Sequence, residues 1–195
     1  PCYPTSSDVF QTIATKENPQ GIIAIAHQPK TSLSQFLLPN FSWGVAAAAP
    51  QDPGNVGTLL RTIDAVGANG SILLEDSTDP YHPSSVRASM GAIFWKPVVK
   101  ASMADFTNWV QVNGYNLYGS SAHGTTPVSQ VKSYNKPLIL LLGSERFGLS
   151  QEQTALCKQV ISLPMHGQGS SLNLAVAASV LLYAMLDRLV PPDLT

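Results

Sequence analysis

Short apolar runs alternate with segments of helical spacing along most of the chain. Leu59, Leu60, Ile63 and Val66 recur on one side of a predicted helix,, and the continuous run PLILLL at 137–142 is typical of a strand covered on both faces,. The predicted strands are 21–27, 45–49, 71–75, 97–99, 115–119, 137–142 and 160–163, and the predicted helices are 9–15, 56–66, 83–90, 104–112, 151–158 and 171–190. This alternation predicts an α/β fold with a mostly parallel sheet flanked by helices.

The composition is that of a globular chain with an apolar bias. The chain has 195 residues, of which 44% are hydrophobic and 12% are charged, which is enough to bury a core in one main domain. So apolar a chain is expected to bury part of its surface against a second subunit. The formal net charge of −1 argues against strong electrostatic binding of nucleic acid, so any such binding would come from local cations such as Arg61, Arg87 and Lys96 or from a region outside this chain.

Cysteine use and the longest apolar run bear on the compartment. Cys2 and Cys157 are too few for a disulfide framework and lack metal-ligand spacing, which predicts a reducing, cytoplasmic compartment and no metal site. No secretory signal is visible. The apolar run 174–186 is shorter than the roughly 20 residues that cross a bilayer, so we expect no membrane span.

Three loops follow predicted strands, which is where open α/β sheets bind their ligands. The first, DPGNVG at 52–57, leads into a helix that carries Arg61 shortly after Asn55. Its glycines permit a tight turn, Asn55 can cap the helix, and Arg61 presents donors suited to phosphate. The same residues also fit an ordinary helix cap followed by a solvated arginine.

The second and third loops also carry polar residues at informative positions. Gly143-Ser144-Glu145 follows the PLILLL strand, so bare backbone can contact a cofactor while the Glu145 carboxylate accepts hydrogen bonds. A tight turn with a surface glutamate is the alternative. In the third loop Ser171 is a plausible cap of the terminal helix, and Asn173 lies in the first turn, where a buried amide needs a partner. A bond from Asn173 to a neighbouring loop would be enough to satisfy it.

Together the three loops resemble the motifs of a known family. This chain resembles the SpoU/TrmH family of RNA 2'-O-ribose methyltransferases in the order and spacing of three motifs. The three runs that carry the resemblance are DPGNVGTLLRTIDAVGANG (52–70), LLLGSERFGLS (140–150) and LPMHGQGSSLNLAVAASVLLY (163–183). The run ASMGAIFWKPVV (88–99) is also similar to that family. Three ordered motifs are specific where any one of them is not.

The resemblance implies a fold, a domain organisation and a set of partners. It implies a SPOUT-type trefoil knot in the C-terminal part of the α/β domain and a homodimer through the C-terminal helix. It also implies that S-adenosylmethionine (SAM) is bound by the knot loops and that the substrate is structured RNA, ribosomal or transfer. Residues 43–195 would be the catalytic domain, and residues 1–42 a linker or remnant of an N-terminal substrate-binding domain.

The resemblance also implies roles for ten residues. By motif position, the cofactor-binding residues would be Ser120, Gly143, Leu163, Met165 and Leu172, and the catalytic or RNA-positioning residues would be Asn55, Arg61, Glu145, Ser171 and Asn173. A ribose 2'-hydroxyl must lose its proton as it attacks the methyl group. The family proposal makes Arg61 the base, but a guanidinium normally stays charged, so Arg61 would bind the adjacent phosphate or stabilise a developing alkoxide.

The chain departs from the family pattern at two positions. Arg146 and Phe147 stand where small or acidic residues are commoner in the family, which puts the shape of the substrate cleft in doubt.

Two other functions are possible interpretations of the sequence. A catalytically silent SPOUT-fold RNA-binding or scaffold protein would keep the fold and the dimer, but the intact polar residues of the motifs argue against it. A Rossmann-type dehydrogenase would need a glycine fingerprint and a ribose-binding acid that the sequence lacks.

Overall fold

The computed structural model describes residues 2–14 and 19–190. The chain divides into two compact units, residues 1–30 and residues 31–195. In the first unit, α1 (Ser7–Ile13) begins after Ser6, whose Oγ accepts a hydrogen bond from Val9 N at 3.4 Å. The predicted short helix is therefore confirmed with an earlier start, and Thr15, its predicted end, lies outside the described residues.

The strand predicted over residues 21–27 is wrong. This segment has no regular secondary structure, and Ile22 and Ile25 are 86% and 97% exposed. A strand needs a neighbour to satisfy its backbone groups, and no strand occurs among the described residues of the first unit. The apolar pattern predicted burial, but none of the described residues covers Ile22 or Ile25.

The second unit is built on a parallel sheet. In chain order the strands are β1 (Trp43–Ala48), β2 (Gly70–Leu74), β3 (Val98–Ala101), β4 (Asn116–Ser120), β5 (Thr126–Pro127), β6 (Tyr134–Asn135), β7 (Leu138–Leu142), β8 (Gln159–Ser162) and β9 (Leu189–Val190). Seven of them form one sheet in the order β3-β2-β1-β7-β4-β8-β5, with every neighbouring pair parallel. The predicted sheet is confirmed. The two-residue strands β5, β6 and β9 escaped prediction because so short a segment has no periodicity.

Helices cover both faces of this sheet. They are α2 (Pro53–Ala65), α3 (Pro83–Ala88), α4 (Met103–Val112), α5 (Gln151–Leu156) and α6 (Leu174–Leu186). Alternate strand residues point to opposite faces, so Val45 and Ala47 share a core with α2 and α6, whereas Ala46 shares another with α4. Within the described parts of the chain, no helix has the length and apolarity needed to cross a membrane.

The terminal helix is shorter than predicted at both ends. Asn173, and not Ser171, caps α6, because the Asn173 amide oxygen accepts hydrogen bonds from the first turn,. The helix ends at Leu186, after which β9 pairs with β6. Pro191 and Pro192, which follow the predicted helix 171–190 in the sequence, lie outside the described residues.

The segment 31–42 is part of the second unit. Phe36 and Phe41 are each 3% exposed and belong to the core that contains α4. The predicted domain boundary after residue 42 stays a prediction, as does the trefoil knot.

Candidate active site

The loops that follow β1, β4, β7 and β8 meet at one edge of the sheet. These strands are parallel neighbours in the order β1-β7-β4-β8, so their carboxyl ends lie side by side. The chain runs from β1 to β2 and β3 on one side, and the later strands fill the other side. Such a switch point is where open α/β sheets bind ligands, and a cavity of about 760 Å³ lies here.

The cavity brings together nine of the ten predicted site residues. Its lining includes Asn55, Ser120, Gly143, Glu145, Leu163, Met165, Ser171, Leu172 and Asn173. The tenth, Arg61, is not among the lining residues. Residues drawn from separate loops of the sequence therefore share one concave surface.

Three of the lining side chains form a hydrogen-bonded chain. Asn173 Nδ2 donates to Asn55 Oδ1 at 2.9 Å, and Asn55 Nδ2 donates to Glu145 Oε1. Hydrogen-bonding chemistry determines how the side-chain amides of Asn173 and Asn55 are oriented. Asn173 Oδ1 accepts from two backbone N–H groups of α6, so its Nδ2 faces Asn55. The Glu145 carboxylate only accepts, so Asn55 Nδ2 faces it,. Within residues 2–14 and 19–190 the other carboxylate oxygen of Glu145 has no hydrogen-bond partner, so a ligand in the cavity can use it.

The start of α2 leaves the Asn55 side chain free for this network. The cap of α2 is Asp52, whose Oδ1 accepts from Gly54 N at 2.7 Å, and Pro53 fills the first helical position,. The expectation that Asn55 caps the helix is wrong because Asp52 already does so. Asn55 lies in the first turn and directs its amide to Glu145 and Asn173.

A tight turn after β7 presents Glu145. Ser144 and Gly148 exchange two backbone hydrogen bonds, at 3.0 and 2.9 Å, and Phe147 N donates to Ser144 Oγ at 3.1 Å. A Cβ on Gly143 would lie 2.2 Å from the carbonyl carbon of Gly148, so only glycine lets the turn fold back on the strand end. Gly143 therefore has a packing role that does not depend on a cofactor.

Arg61 lies outside the cavity for a geometric reason. An α-helix turns about 100° and rises about 1.5 Å per residue. Arg61, six residues after Asn55, is thus about 120° around α2 and about 9 Å farther along it. Its side chain is exposed, and its neighbour three residues on is Asp64. Asn55 and Arg61 are therefore close in the sequence motif, but their side chains point in different directions from α2.

The cavity also contains residues that the motifs did not assign to the site. Ser121 and His123 come from the loop after β4, and Ser170 comes from the loop after β8. The available signals were the position of Ser121 and His123 just after the predicted strand 115–119 and the position of Ser170 inside the third motif run, 163–183. Phe147 also lines the cavity, 78% exposed, with the Arg146 guanidinium 5.0 Å from its ring centre.

Burial alters the acidity of groups just behind Ser120. Burial raises the pKa of the Cys157 thiol from 9.0 to about 11, so this sulfur stays a neutral, unreactive thiol at neutral pH. Burial also raises the pKa of Tyr118. Among the residues that the structure describes, no group of three or more His, Cys, Asp or Glu side chains is placed to hold a metal ion.

Comparison with known families decides the assignment. The profile described as the SpoU rRNA Methylase family matches residues 43–183. The chain belongs to this family. The match spans all three motifs and runs from the first residue of β1 into α6, so the SpoU/TrmH resemblance of the sequence is confirmed.

Relatives of this SpoU chain are similar over most of its length. A 23S rRNA (uridine(2479)-2'-O)-methyltransferase from Streptomyces viridochromogenes is 35% identical over 183 residues, which are 90% of this chain and 63% of the relative. A 23S rRNA (guanosine(2553)-2'-O)-methyltransferase, RlmP, from Bacillus subtilis is 30% identical over 185 residues, 93% of this chain and 71% of the relative. The chain thus spans 63% to 71% of the length of these relatives.

The fold agrees with solved structures, among them the SpoU methyltransferase AviRb from Streptomyces viridochromogenes, which matches with a TM-score of 0.75 at 36% identity, over 82% of this chain and 64% of that one. The crystal structure of an AdoMet-bound rRNA methyltransferase from Sinorhizobium meliloti matches with a TM-score of 0.87 at 33% identity, over 92% of this chain and 69% of that one. The parallel sheet flanked by helices is therefore the SpoU fold.

Proposed function

We propose that this protein is a SAM-dependent methyltransferase that methylates a ribose 2'-hydroxyl in structured RNA, ribosomal or transfer. The observation that carries the proposal is the hydrogen-bonded chain Asn173–Asn55–Glu145, which joins one residue from each family motif in the wall of a single cavity. The Streptomyces and Bacillus relatives are named as 23S rRNA 2'-O-methyltransferases. This is the reaction that we propose for the present chain.

The cavity fits SAM in size and chemistry. Its volume of about 760 Å³ falls within the roughly 300–1,000 Å³ of small-molecule sites. Leu163, Met165 and Leu172 offer an apolar surface for an adenine ring, and Ser120 offers a hydroxyl near the strand end. The turn at Gly143 exposes backbone that can hydrogen-bond to the cofactor. When bound, SAM would supply a methyl group made electrophilic by its sulfonium centre. The Sinorhizobium rRNA methyltransferase is bound to this cofactor, also called AdoMet.

We assign the role of proton acceptor to Glu145. Asn55 holds one of its carboxylate oxygens, and the other can accept a hydrogen bond from a hydroxyl that enters the cavity. Glu145 would orient the hydroxyl through that hydrogen bond and take its proton as the oxygen bonds to the methyl carbon. The bond from that carbon to the sulfonium sulfur would break at the same time, which would leave the sulfur as a neutral thioether. The Ser171 hydroxyl, also in the lining, is placed to orient the ribose.

We assign phosphate binding to Arg61. A guanidinium stays protonated in proteins and is a poor base, and the Arg61 side chain is exposed beside the cavity instead of lining it. Its forked donors suit a phosphate next to the target nucleotide.

A methyl-transfer assay tests the proposal. SAM with a labelled methyl group is incubated with unmodified 23S rRNA and tRNA transcripts, and the RNA is then hydrolysed in alkali, which 2'-O-methylated linkages resist. We expect label in alkali-resistant dinucleotides, and at least about 100-fold less with the matched variant Glu145→Gln. Calorimetric binding of SAM without transfer to any transcript would favour the catalytically silent scaffold, and absence of both would refute the proposal.

We also propose a homodimer through α6. The side of α6 that faces away from the core carries Val176, Val180 and Tyr183, which are 49%, 47% and 53% exposed. Their spacing of four and three residues places them on one side of the helix. An apolar stripe of this kind is typical of a subunit interface. Analytical ultracentrifugation should show a dimer that Val180→Glu converts to a monomer, and a monomeric wild-type chain would contradict this part of the proposal.

We place the protein in the cytoplasm. Cys2 and Cys157 are both free, as expected of a reducing compartment, and ribosomal and transfer RNA are found there. Fractionation of the source cells with an antibody against the chain checks this assignment.

A further inference from the structure

Three large apolar side chains within the six residues 90–95, beside α2, are exposed. Met90, Phe94 and Trp95 are 70%, 72% and 59% exposed, and all three belong to the turn between α3 and β3. We call them the aromatic surface. A cluster of exposed large apolar side chains marks a place where something binds.

Trp95 is held in one orientation although most of it is exposed. Its Nε1 donates to Asp64 Oδ1 of α2 at 2.9 Å, and its ring lies over Gly91, where a Cβ would be 2.9 Å from Cη2. Met90 has a φ of +50° and Gly91 a φ of +96°, and such a backbone is strained for Met90. The chain thus keeps a strained turn that presents a fixed indole. A fixed aromatic face loses little conformational freedom when a flat ring stacks on it.

The aromatic surface lies along α2 from the cavity. Asp64 is nine residues after Asn55, which places it about 13 Å farther along the helix and about 180° around it. Arg61 is three residues before Asp64, so its side chain neighbours the Trp95 contact. An RNA strand that leaves the cavity and wraps around α2 would pass Arg61 before it reaches Trp95.

Cations flank the aromatic surface. Arg61 and Arg87 are both exposed, and within the described residues the guanidinium of Arg87 bonds only to Ser84 Oγ, at 3.3 Å. The nearby acid, Asp64, is matched by Lys96 Nζ at 3.4 Å. The local charge is therefore positive in a chain whose net charge is −1. This favours a polyanion over a second copy of the chain, for which the uncharged side of α6 is the better surface.

We propose that the aromatic surface binds unpaired nucleotides of the substrate RNA next to the methylated one, with a base stacked on Trp95 and phosphates on Arg61 and Arg87. The proposal rests on the proposed function for the identity of RNA as substrate. Because stacking accepts any base, this surface positions the strand without reading its sequence.

Tryptophan fluorescence tests the proposal. Of the three tryptophans, Trp43 and Trp109 are only 2% and 7% exposed, so a base that stacks on the protein quenches Trp95. With a single-stranded RNA dodecamer of mixed sequence as the probe, we expect saturable quenching in the wild type. Trp95→Phe, which keeps a stacking ring, should lose the signal but keep most of the affinity measured by fluorescence polarisation of a labelled dodecamer.

Affinity and kinetics supply a second readout. Trp95→Ala should weaken dodecamer binding about 10-fold and raise the KM for the RNA transcript to a similar extent, with kcat and SAM affinity unchanged. Val112→Ala is the matched control, because Val112 is 75% exposed but lies on α4, on the opposite face of the sheet. This control should leave all these values unchanged.

The possible results separate this inference from the proposed function. Methyl transfer without quenching, and with an unchanged KM in Trp95→Ala, overturns the inference and leaves the function intact. Quenching in a protein that neither binds SAM nor transfers methyl groups supports the inference and refutes the function. Dissociation of a dimer by Trp95→Ala in ultracentrifugation overturns the inference, since the surface would then be an interface between copies.

Discussion

The two ends of α2 use polar side chains in opposite ways. In the first turn, Asn55 bonds through both ends of its amide, to Asn173 and to Glu145. Near the other end Arg61 is exposed and lies outside the cavity. The helix produces this difference, because six residues turn the two side chains about 120° apart. The end of α2 that carries Asn55, which we call the fixed end, suits positioning of reacting atoms, because that needs immobile groups. The end that carries Arg61, which we call the free end, suits binding of a mobile phosphate backbone.

The largest effect is expected at the fixed end, in Glu145→Gln. The variant keeps an oxygen that accepts the hydrogen bond from Asn55 but cannot take a proton, so kcat should fall about 100- to 10,000-fold. The affinity for SAM, measured by calorimetry, should stay within the error of the wild-type value. A kcat within a few-fold of wild type in single-turnover assays would show that the proton goes elsewhere.

A smaller effect, and a different one, is expected at the free end in Arg61→Ala. Loss of a charged contact to phosphate should raise the KM for RNA about 10-fold or more. It should also reduce the magnitude of the slope of log RNA affinity against log salt concentration by roughly 0.7–0.9. Arg61→Lys should restore part of the affinity, since the charge is kept. If kcat falls as far as in Glu145→Gln while the KM is unchanged, Arg61 acts in the reaction and the contrast between the two ends fails.

Asn173 allows the network to be separated from the helix cap. Asn173→Asp keeps an oxygen that caps α6 but replaces the donor to Asn55 with an acceptor, so stability should hold while kcat falls about 5-fold, the equivalent of one lost hydrogen bond. Asn173→Ala should lose both, with about 1 kcal/mol of stability removed. Urea denaturation and steady-state kinetics on the pair check this. Equal stability of the Ala and Asp variants would mean that the cap contributes nothing.

The sequence predicts structural features that depend on the local pattern of residues. It does not predict features that depend on partners distant in the sequence. The run 137–142 and the run 21–27 are both apolar and both predict strands, yet only the first has parallel partners on both sides, and the second is exposed. Pairing partners lie far away in sequence, so pattern alone could not tell the two runs apart.

The candidate site shows the same limit. The motifs predicted the residues that line the cavity, because each motif follows a strand and parallel strand ends converge. They could not predict that Asn173 caps α6, that Asp52 caps α2, or that Arg61 points away from Asn55. These three findings depend on where a helix starts and how far it has turned, and element ends are what sequence patterns locate least well.

The smallest effect is expected in Asp52→Ala, which tests how the fixed end of α2 is held. Asp52 Oδ1 accepts the hydrogen bond from Gly54 N, and loss of such a cap costs about 1 kcal/mol of stability. Asp52→Asn keeps the acceptor and is the matched control, which should unfold at the wild-type urea concentration. Because Asn55 is only three residues further along, fraying of the first turn in the Ala variant should also lower kcat slightly, while dodecamer binding at the distant aromatic surface stays unchanged. A loss of RNA affinity equal to the loss of kcat would mean that the two ends of α2 are not independent.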